Sequence, residues 1–376
     1  MKSQPPVAAE LAWPQVHAFR LQRHHLATRA PAKRLVDVAG DISGAQAQVM
    51  SAAELQLGVR CKAGVDGVRK ALWQDRALVK TWLMRGTLHL VPSVDLPLYT
   101  AAMRSRWVWP NNTWLKWVQL TEPELVSLIE SIGDALDQPL TREELIAAMG
   151  RTSSDHVRTV LKSGWSTLLK PVARSGRLCF GPNRGTSVTF VRPDVWLKSW
   201  RDLDPDEAVI EVARRYLRAY GPATKDDFGR WFGAWPGLGK AAWSGLADEL
   251  APVSIEGRRA DVLAADLKQL RSSAGVSSVL LLPAFDPYLM GHNSRDHLFE
   301  PGFRARVSRT AGWISAVLLV EGRVTGTWTH TVAKDVLRIV VDPFGKLPPN
   351  VRPEIQARAQ ELASTLGLAE VELKLV

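Results

Sequence analysis

One pattern of residues occurs twice in this chain, and a repeat constrains the fold more strongly than any single motif. QPLTREELIAAMG (138–150) and GPATKDDFGRWFG (221–233) align position by position, from a proline and a threonine to a closing glycine. Thr141 and Thr224 are the expected helix N-caps, since the acids that follow them would occupy the first helical turn, where the helix dipole favours negative charge. The sequence therefore predicts two copies of one structural unit.

Each copy is followed by a segment that predicts a hairpin. WSTL (165–168) and WSGL (243–246) match again, and GRLCFGPNRGTSVTFVRP and VSIEGRRADVLA come after them. Pro182 and Asn183 supply turn residues in the first stretch, and Gly257 does so in the second. Helices followed by a hairpin are typical of a winged helix, in which a β wing extends from a helical core.

Another, more diverged unit is predicted N-terminal to these two, so in chain order it is the first unit and the two repeats belong to the second and third units. Residues 36–58 and 65–72 have helical patterns, and residues 78–83 and 87–92 predict strands around the turn Met84-Arg85-Gly86. All three hairpins end in an aspartate followed by an apolar residue, at Asp95-Leu96, Asp194-Val195 and Asp266-Leu267. The shared ending supports a common plan.

From residue 277 the pattern changes to apolar and β-branched runs, which predict strands, with an amphipathic helix over 353–366. The predicted fold class is α+β, with three tandem winged-helix modules followed by a small C-terminal β-rich domain. The predicted boundaries are 1–118 for the first module, 119–201 for a basic second module, 202–276 for the third, and 277–376 for the C-terminal domain.

The positive charge of the chain is concentrated in one stretch. The net charge is +10, and residues 151–201 contain ten lysines and arginines but only two acids, Asp155 and Asp194, so this stretch carries +8 of the total. A clustered basic surface suits the phosphates of a nucleic acid, whose counterions are released on binding. A solvated basic surface without a partner is the alternative.

Several classes of protein are disfavoured by what the sequence lacks. It has no apolar run long enough for a membrane span and no apolar secretory core near its N-terminus, so we expect a cytoplasmic protein without membrane contact. Cys61 and Cys179 form no metal-binding pattern and predict two buried thiols. No nucleotide-binding or metalloprotease motif is present, so neither a cofactor nor a metal is expected. For Trp107, Trp109, Trp114 and Trp117, core packing is favoured over base stacking.

Gln46 and Gln48 are the candidates for chemistry. They flank the small residue Ala47, just after Ser43-Gly44. In a helix, residues two apart point to different sides, whereas in an extended chain they share a face. The pair therefore converges only if the segment departs from a helix, and two amides on one face can then hold a water molecule. On the residues alone, two solvent-facing glutamines on a helix remain the alternative.

The chain resembles the winged-helix DNA glycosylases of the AlkZ and YcaQ type. The resemblance lies in AGDISGAQAQVMSAAEL (39–55), ALVKTWLMRGTLHLVP (77–92), LLLPAFDPYLMG (280–291) and GWISAVLLVEGRVTGTW (312–328). The family's active-site motif is Gln–apolar–Gln in the AlkZ branch and Gln–apolar–Asp in the YcaQ branch. Gln46-Ala47-Gln48 matches the first, which implies that Gln46 and Gln48 are catalytic. It also implies relatives that excise bulky N7-alkylguanines and unhook crosslinks, often as self-resistance proteins.

The same resemblance suggests DNA contacts from three segments. A hairpin from the region 292–312 is implied to enter the minor groove, where arginine is favoured, and this basic segment is expected to project from the body. The candidates are Arg20, Arg23 and His24 before the glutamines, Arg85, Thr87 and His89 in the first hairpin, and His292, Asn293, Arg295, Arg304 and Arg306 in the tail. Wing packing and a solvated loop are the alternatives for the last two groups.

The sequence therefore predicts a monofunctional DNA glycosylase. Its expected substrate is double-stranded DNA carrying bulky or crosslinked N7-alkylguanine adducts, and it is expected to act as a monomer in repair or self-resistance against a DNA-alkylating natural product. Two other functions remain open at this point, a winged-helix transcription regulator and a non-catalytic lesion-binding protein.

Overall fold

The architecture is a mixture of helices and four small sheets. The computed structural model describes residues 6–105, 112–150, 154–163, 167–234, 236–275 and 278–376. Within these ranges the strands form three three-stranded sheets and one five-stranded sheet. The α+β class is thereby confirmed, whereas the division into three winged-helix modules stays a prediction. Across the described ranges, no helix has both the length and the hydropathy of a membrane span.

The described residues of the N-terminal part form the first strands and six α-helices. They are β1 (Ala9–Leu11), α1 (Trp13–Arg23), α2 (Leu35–Asp41), β2 (Ala45–Gln46), α3 (Met50–Gly58), α4 (Gly64–Trp73), β3 (Leu78–Trp82), β4 (Leu88–Pro92), α5 (Leu96–Met103) and α6 (Asn112–Val118). The predicted continuous helix over 36–58 is wrong. Ser43 and Gly44 have φ of 57° and 93°, and these left-handed conformations end the helix and turn the chain into β2.

The repeated pattern forms the same structure twice. The central elements are α7 (Glu122–Ala135), β5 (Leu140–Thr141), α8 (Arg142–Ala148), α9 (Asp155–Lys162), α10 (Leu169–Arg174), β6 (Cys179–Arg184), β7 (Ser187–Val191), α11 (Pro193–Trp196), α12 (Pro205–Tyr220), α13 (Lys225–Phe232), α14 (Pro236–Gly245), β8 (Leu250–Ile255), β9 (Arg258–Leu263) and α15 (Leu267–Ser272). Thr141 and Thr224 cap α8 and α13, each in a reciprocal capping box, as predicted. The matching Trp165 lies outside the described residues.

In all three units the residues just before the helix pair with the second strand of the following hairpin, as a short strand in the first two and as a single bridge in the third. In the second unit β5 pairs with β7, and in the third Ala223 forms an isolated bridge to Asp261 of β9. In the first unit β2 pairs with β4, with Gln46 opposite His89. The candidate glutamines therefore lie at the strand-to-helix junction that the two repeats also contain.

The N-terminal strand joins the third unit, not the first. β1 runs parallel to β8, with Leu11 opposite Ile255, and α1 buries Val16 and Phe19 against the same hairpin. Residues 9–23 thus pack on an element more than two hundred positions away along the chain, although the predicted boundary places them in the first module.

The C-terminal part is a five-stranded sheet covered by a helix. Its elements are β10 (Val279–Leu282), α16 (Pro287–Met290), α17 (Arg304–Val307), β11 (Val317–Val320), β12 (Arg323–Ala333), β13 (Val336–Pro343), α18 (Val351–Thr365) and β14 (Glu370–Leu375). β14 returns parallel to β13, and α18 packs on the sheet through Ile355 and Ala359.

The prediction that residues 292–312 project as a hairpin is wrong. This segment folds back as short helical turns, because its apolar residues Leu298, Phe299 and Val307 are buried against the C-terminal sheet. Among the residues that the structure describes, the longest hairpin is β12–β13, and its tip at 330–335 is largely exposed.

The cysteines and tryptophans are distributed partly as predicted. Cys61 and Cys179 are both buried free thiols, as expected. Trp114 packs on the core of the second unit, but Trp117 is 69% exposed, so core packing was the wrong prediction for that residue. Trp107 and Trp109 lie outside the described residues.

Candidate active site

The segment that carries the two glutamines is not helical, which is the condition the sequence set for their convergence: it is extended through β2 and Ala47, and the chain bends at Gln48. Ala45 and Ala47 face inward and are buried in the core of the first unit with Leu90. Because side chains alternate along extended backbone, Gln46 and Gln48 face the opposite side. The departure from helical geometry is therefore confirmed.

The two glutamines have different surroundings. Gln46 is only 6% exposed, and its Oε1 accepts a hydrogen bond of 3.1 Å from Nη2 of Arg85. Its backbone carbonyl accepts a second bond of 3.1 Å, from Nε2 of Gln56. Gln48 is exposed, and its Oε1 accepts only a long contact of 3.5 Å from the Leu88 amide. One amide is thus held by the protein, and the other is open to solvent.

Arg85 lies in the turn of the first hairpin, in the left-handed conformation with φ of 58°. Its Nη1 donates to the carbonyl of Trp231, in the last turn of α13. Burial lowers the pKa of Arg85 to about 10, so the guanidinium is still charged at neutral pH. The predicted DNA contact is therefore a half-buried cation that already binds Gln46 and the third unit.

His89 and Thr87 are turned toward the protein. Nδ1 of His89 donates 2.9 Å to the Thr87 carbonyl, which leaves Nε2 as the acceptor. Burial and the nearby Arg85 cation lower the pKa of His89 to about 3, so the imidazole is neutral. The Thr87 hydroxyl donates 3.1 Å to the Met84 carbonyl and closes the turn. A phosphate contact by either residue stays a prediction.

A buried network ties the glutamine segment to the C-terminal part. Nε2 of Gln56 also donates 3.0 Å to the Ala284 carbonyl. One turn later, Arg60 forms two bonds of 2.6 and 2.8 Å with Asp286, and both side chains are fully buried. Asp286 in turn accepts from the Tyr288 amide at the start of α16. Residues 283–291 (PAFDPYLMG) therefore hold the helix that follows the glutamines, through the Ala284 carbonyl and the Asp286 carboxylate. The sequence analysis did not predict this role.

Arg20, Arg23 and His24 are engaged inside the protein. Arg20 is 3% exposed, and its Nη2 donates 2.8 Å to the Pro222 carbonyl. Arg23 pairs with Asp266, and His24 has no exposed surface. A phosphate contact by these residues stays a prediction that would require this packing to open.

The opening of the tail segment packs on α13. Nε2 of His292 accepts a bond of 2.8 Å from Arg20, and the Asn293 amide donates 2.8 Å to Asp227. Arg295 donates 2.7 Å to the Leu289 carbonyl, and burial followed by the Arg230 and Arg304 charges lowers its pKa. Asn293 thus binds the first turn of α13, whereas Arg85 binds its last turn.

The two arginines at the far end of the segment form surface ion pairs. Arg304 lies 2.8 Å from Asp296, and Arg306 pairs with Asp342. Such pairs are weak and can exchange for phosphate, so DNA contact by Arg304 and Arg306 stays a prediction.

The sequence analysis did not single out two arginines that lie beside the site. It also overestimated how much of the positive charge of residues 151–201 is free of acidic partners. Arg230 is exposed on α13 and close enough to affect the pKa of Arg295, and Arg174 of α10 approaches the Gly86 turn. Of the basic stretch 151–201, three arginines pair with acids at 2.6 to 2.7 Å, namely Arg177 with Asp134, Arg184 with Glu144 and Arg192 with Asp194. Only packing could reveal either fact.

The site offers neutral amides and fixed cations. No cluster of three or more histidine, cysteine or acidic side chains with metal-binding geometry occurs among the described residues. A pair of amides can orient a water molecule and present a carbonyl oxygen to developing positive charge, but an amide is a poor proton acceptor. The geometry therefore suits hydrolysis of a bond whose leaving group is already activated.

Comparisons with known proteins point to one family. A family model described as DNA glycosylase AlkZ-like matches residues 39–365. An interstrand DNA cross-link repair glycosylase of Streptomyces sahachiroi is 37% identical, over 97% of this chain and 99% of that protein. The solved structure of the Streptomyces sahachiroi DNA glycosylase AlkZ superposes with a TM-score of 0.89 at 35% identity, covering 98% of this chain and all of that one.

Proposed function

This chain belongs to the AlkZ-like DNA glycosylases, and from that membership we propose that it hydrolyses the N-glycosidic bond of bulky or crosslinked N7-alkylguanines in double-stranded DNA. Gln46 and Gln48 are the catalytic residues of this proposal, and no cofactor takes part. The protein acts as a monomer, in repair or in self-resistance against a DNA-alkylating natural product. The three winged-helix modules and the C-terminal domain together form the DNA-binding body.

The observation that carries the proposal is the pair of amides on one side of an extended segment, with Gln46 held in place and Gln48 exposed. The relative from Streptomyces sahachiroi supports the choice of substrate, since its name describes repair of interstrand crosslinks.

The chemistry of the adduct fits neutral catalytic groups. Glycosidic cleavage passes through an oxocarbenium-like state. An N7-alkylguanine is cationic before cleavage and leaves as a neutral base, so it needs little help from an acid. What remains for the enzyme is to orient water at C1′ and to stabilise positive charge on the sugar, which carboxamides can do. Undamaged bases lack this activation and are spared.

Release of the adduct tests the proposal directly. A duplex with a defined N7-alkylguanine is incubated with excess enzyme, and hot alkali then converts abasic sites to strand breaks. Wild type is expected to produce breaks at the adduct, and the Gln46→Ala/Gln48→Ala variant to react roughly 100- to 1000-fold more slowly, as expected when groups that stabilise transition-state charge are removed.

The matched control is Gln356→Ala, which removes an exposed glutamine on α18 and should leave the rate unchanged. Equal rates for wild type and the double variant would refute the catalytic assignment. Tight binding of the adduct duplex without any release by wild type would show a lesion-binding protein instead.

A further inference from the structure

We propose that Arg85 is a positioning residue that fixes the orientation of the Gln46 amide and thereby gives the two glutamines different tasks. The inference rests on the proposed function of the glutamine pair. Arg85 makes no bond to the substrate in this proposal. It acts through Gln46 alone, and it connects the catalytic segment of the first unit to a helix of the third.

The first step concerns which end of the amide faces Arg85. A guanidinium carries donors only, so the atom of Gln46 that lies 3.1 Å from Nη2 has to be the carbonyl oxygen. A flipped amide would place two donors against each other in a buried position. The donor groups of Arg85 therefore decide how the Gln46 amide is oriented, and the NH₂ group of Gln46 points away from Arg85.

The second step concerns what holds Arg85. Nη1 donates to the Trp231 carbonyl, which lies at the C-terminal end of α13, where the helix dipole favours a cation. The backbone of Arg85 is pressed against Gly233. A Cβ on that glycine would lie 2.6 Å from the Arg85 Cα, closer than any real contact of that kind. Arg85 is thus held at two points, its backbone against Gly233 and its Nη1 at the Trp231 carbonyl.

The third step concerns the contrast with Gln48. Its amide is exposed and has only the long contact to the Leu88 amide, so it can rotate. We assign to Gln46 a fixed donor that holds the oxygen of the attacking water, and to Gln48 the carbonyl oxygen that accepts a hydrogen of that water and faces the sugar. An oxygen already bonded to a cation stabilises positive charge poorly, so Gln46 is unsuited to the second task.

Arg76 provides a matched control for this assignment. It also has a left-handed backbone, with φ of 55°, and it also donates to a tryptophan carbonyl, 3.1 Å to that of Trp196. It lies outside the network around Gln46. Arg76→Met therefore repeats the local cost of losing such an arginine without changing the glutamine.

The kinetic test compares Arg85→Met, Arg85→Lys and Arg76→Met in single-turnover release of the adduct, each with and without Gln46→Ala. Arg85→Met should lower the saturated rate roughly 10- to 100-fold, as expected for loss of a charged hydrogen bond. Arg85→Lys should keep part of the wild-type rate. Arg76→Met should release the adduct at the full wild-type rate. In the Gln46→Ala background Arg85→Met should cause no further loss, because the two residues act as one unit.

DNA affinity separates positioning from phosphate contact. If Arg85 positions Gln46, the Kd for the duplex and its dependence on salt should match wild type in Arg85→Met. A salt slope that falls by about one, with an unchanged saturated rate, would instead assign Arg85 to a phosphate and overturn the proposal.

A spectroscopic test does not depend on activity. In protein labelled with ¹⁵N-glutamine, the Gln46 side-chain NH₂ signals are identified by their loss in Gln46→Ala. Arg85→Met should shift or broaden them, and Arg76→Met should not. Unchanged Gln46 signals in Arg85→Met would overturn the role of Arg85, whether or not wild type is active. Inactivity of wild type on N7-alkylguanines would refute the proposed function and leave the role of Arg85 standing.

Discussion

At the scale of single residues, the site depends on buried polar groups that form hydrogen bonds to parts of the chain far away in sequence. Gln56 has no exposed surface, and its one amide nitrogen binds both the Gln46 backbone and Ala284. A buried carbonyl without a hydrogen-bond donor is destabilising, because it has given up its bonds to water and gained none in return. The glutamine segment therefore keeps its extended form through partners outside the segment itself.

The Arg60–Asp286 pair gives a prediction at this scale. Both side chains are fully buried, so Asp286→Asn leaves an unpaired guanidinium in the interior. We expect the free energy of unfolding, measured by urea denaturation, to fall by about 3–5 kcal/mol. Asp296→Asn is the control, because its pair with the 63% exposed Arg304 is accessible to water. That variant should lose at most about 1 kcal/mol, and equal losses for the two variants would contradict the reasoning.

At the scale of elements, the repeated helix has acquired different duties in its two copies. After α8 the closing glycine of the pattern, Gly150, has open space around the position of a Cβ, whereas Gly233 after α13 contacts the Arg85 backbone. Asp227 of α13 completes the capping box and also accepts from the Asn293 amide. One pattern thus forms the same helix twice, and the second copy, α13, binds Arg85 beside the candidate glutamines.

This difference predicts that alanine at the two matching glycines has different effects on the rate of adduct release. Gly233 and Gly150 have φ of 80° and 58°, so an alanine at either should cost roughly 1–2 kcal/mol of stability from backbone strain. Gly233→Ala must in addition displace Arg85, and its single-turnover rate of adduct release should fall roughly 10- to 100-fold. Gly150→Ala should release the adduct at the wild-type rate. Equal rates would show that the contact does not position Arg85.

At the scale of the whole molecule, parts distant in sequence meet around partly buried histidines. Arg20 of α1 donates to Nε2 of both His292 and His297, and Trp13 stacks on His297 at 4.3 Å. Burial, and after it the charge of Arg20, lowers the pKa of His292 to about 3 and that of His297 further. The N-terminal helix and the tail are therefore joined by imidazoles that have to remain neutral.

Stability should consequently fall on acidification. For a group whose folded-state pKa lies below 6.5, the unfolded chain binds more protons between the two values, so the stabilisation is complete above pH 6.5 and is lost toward pH 3. Five buried or partly buried histidines have lowered pKa values, His17, His24, His89, His292 and His297. Each should cost up to about 1.4 kcal/mol per pH unit below 6.5. Urea unfolding at about pH 7.5, 6 and 5 measures this, and a constant free energy would contradict it.

The sequence by itself determined the features that depend on local chemistry. The capped helices, the hairpins, the two buried thiols and the α+β class follow from residue periodicity, turn residues and short-range hydrogen bonds, which are legible in one segment at a time. The glutamine pair could also be found in this way, together with the condition that its segment be extended.

Only the tertiary structure decided which groups surround those glutamines. The charge at Gln46, the packing of α1 on the third hairpin and the folding back of 292–312 all come from contacts between segments far apart in the chain. Such contacts are selected by the packing of buried surfaces against one another, and a single segment carries no record of its partner. The polarity of each candidate was therefore visible in the sequence, but its partner, its burial and its protonation state were not.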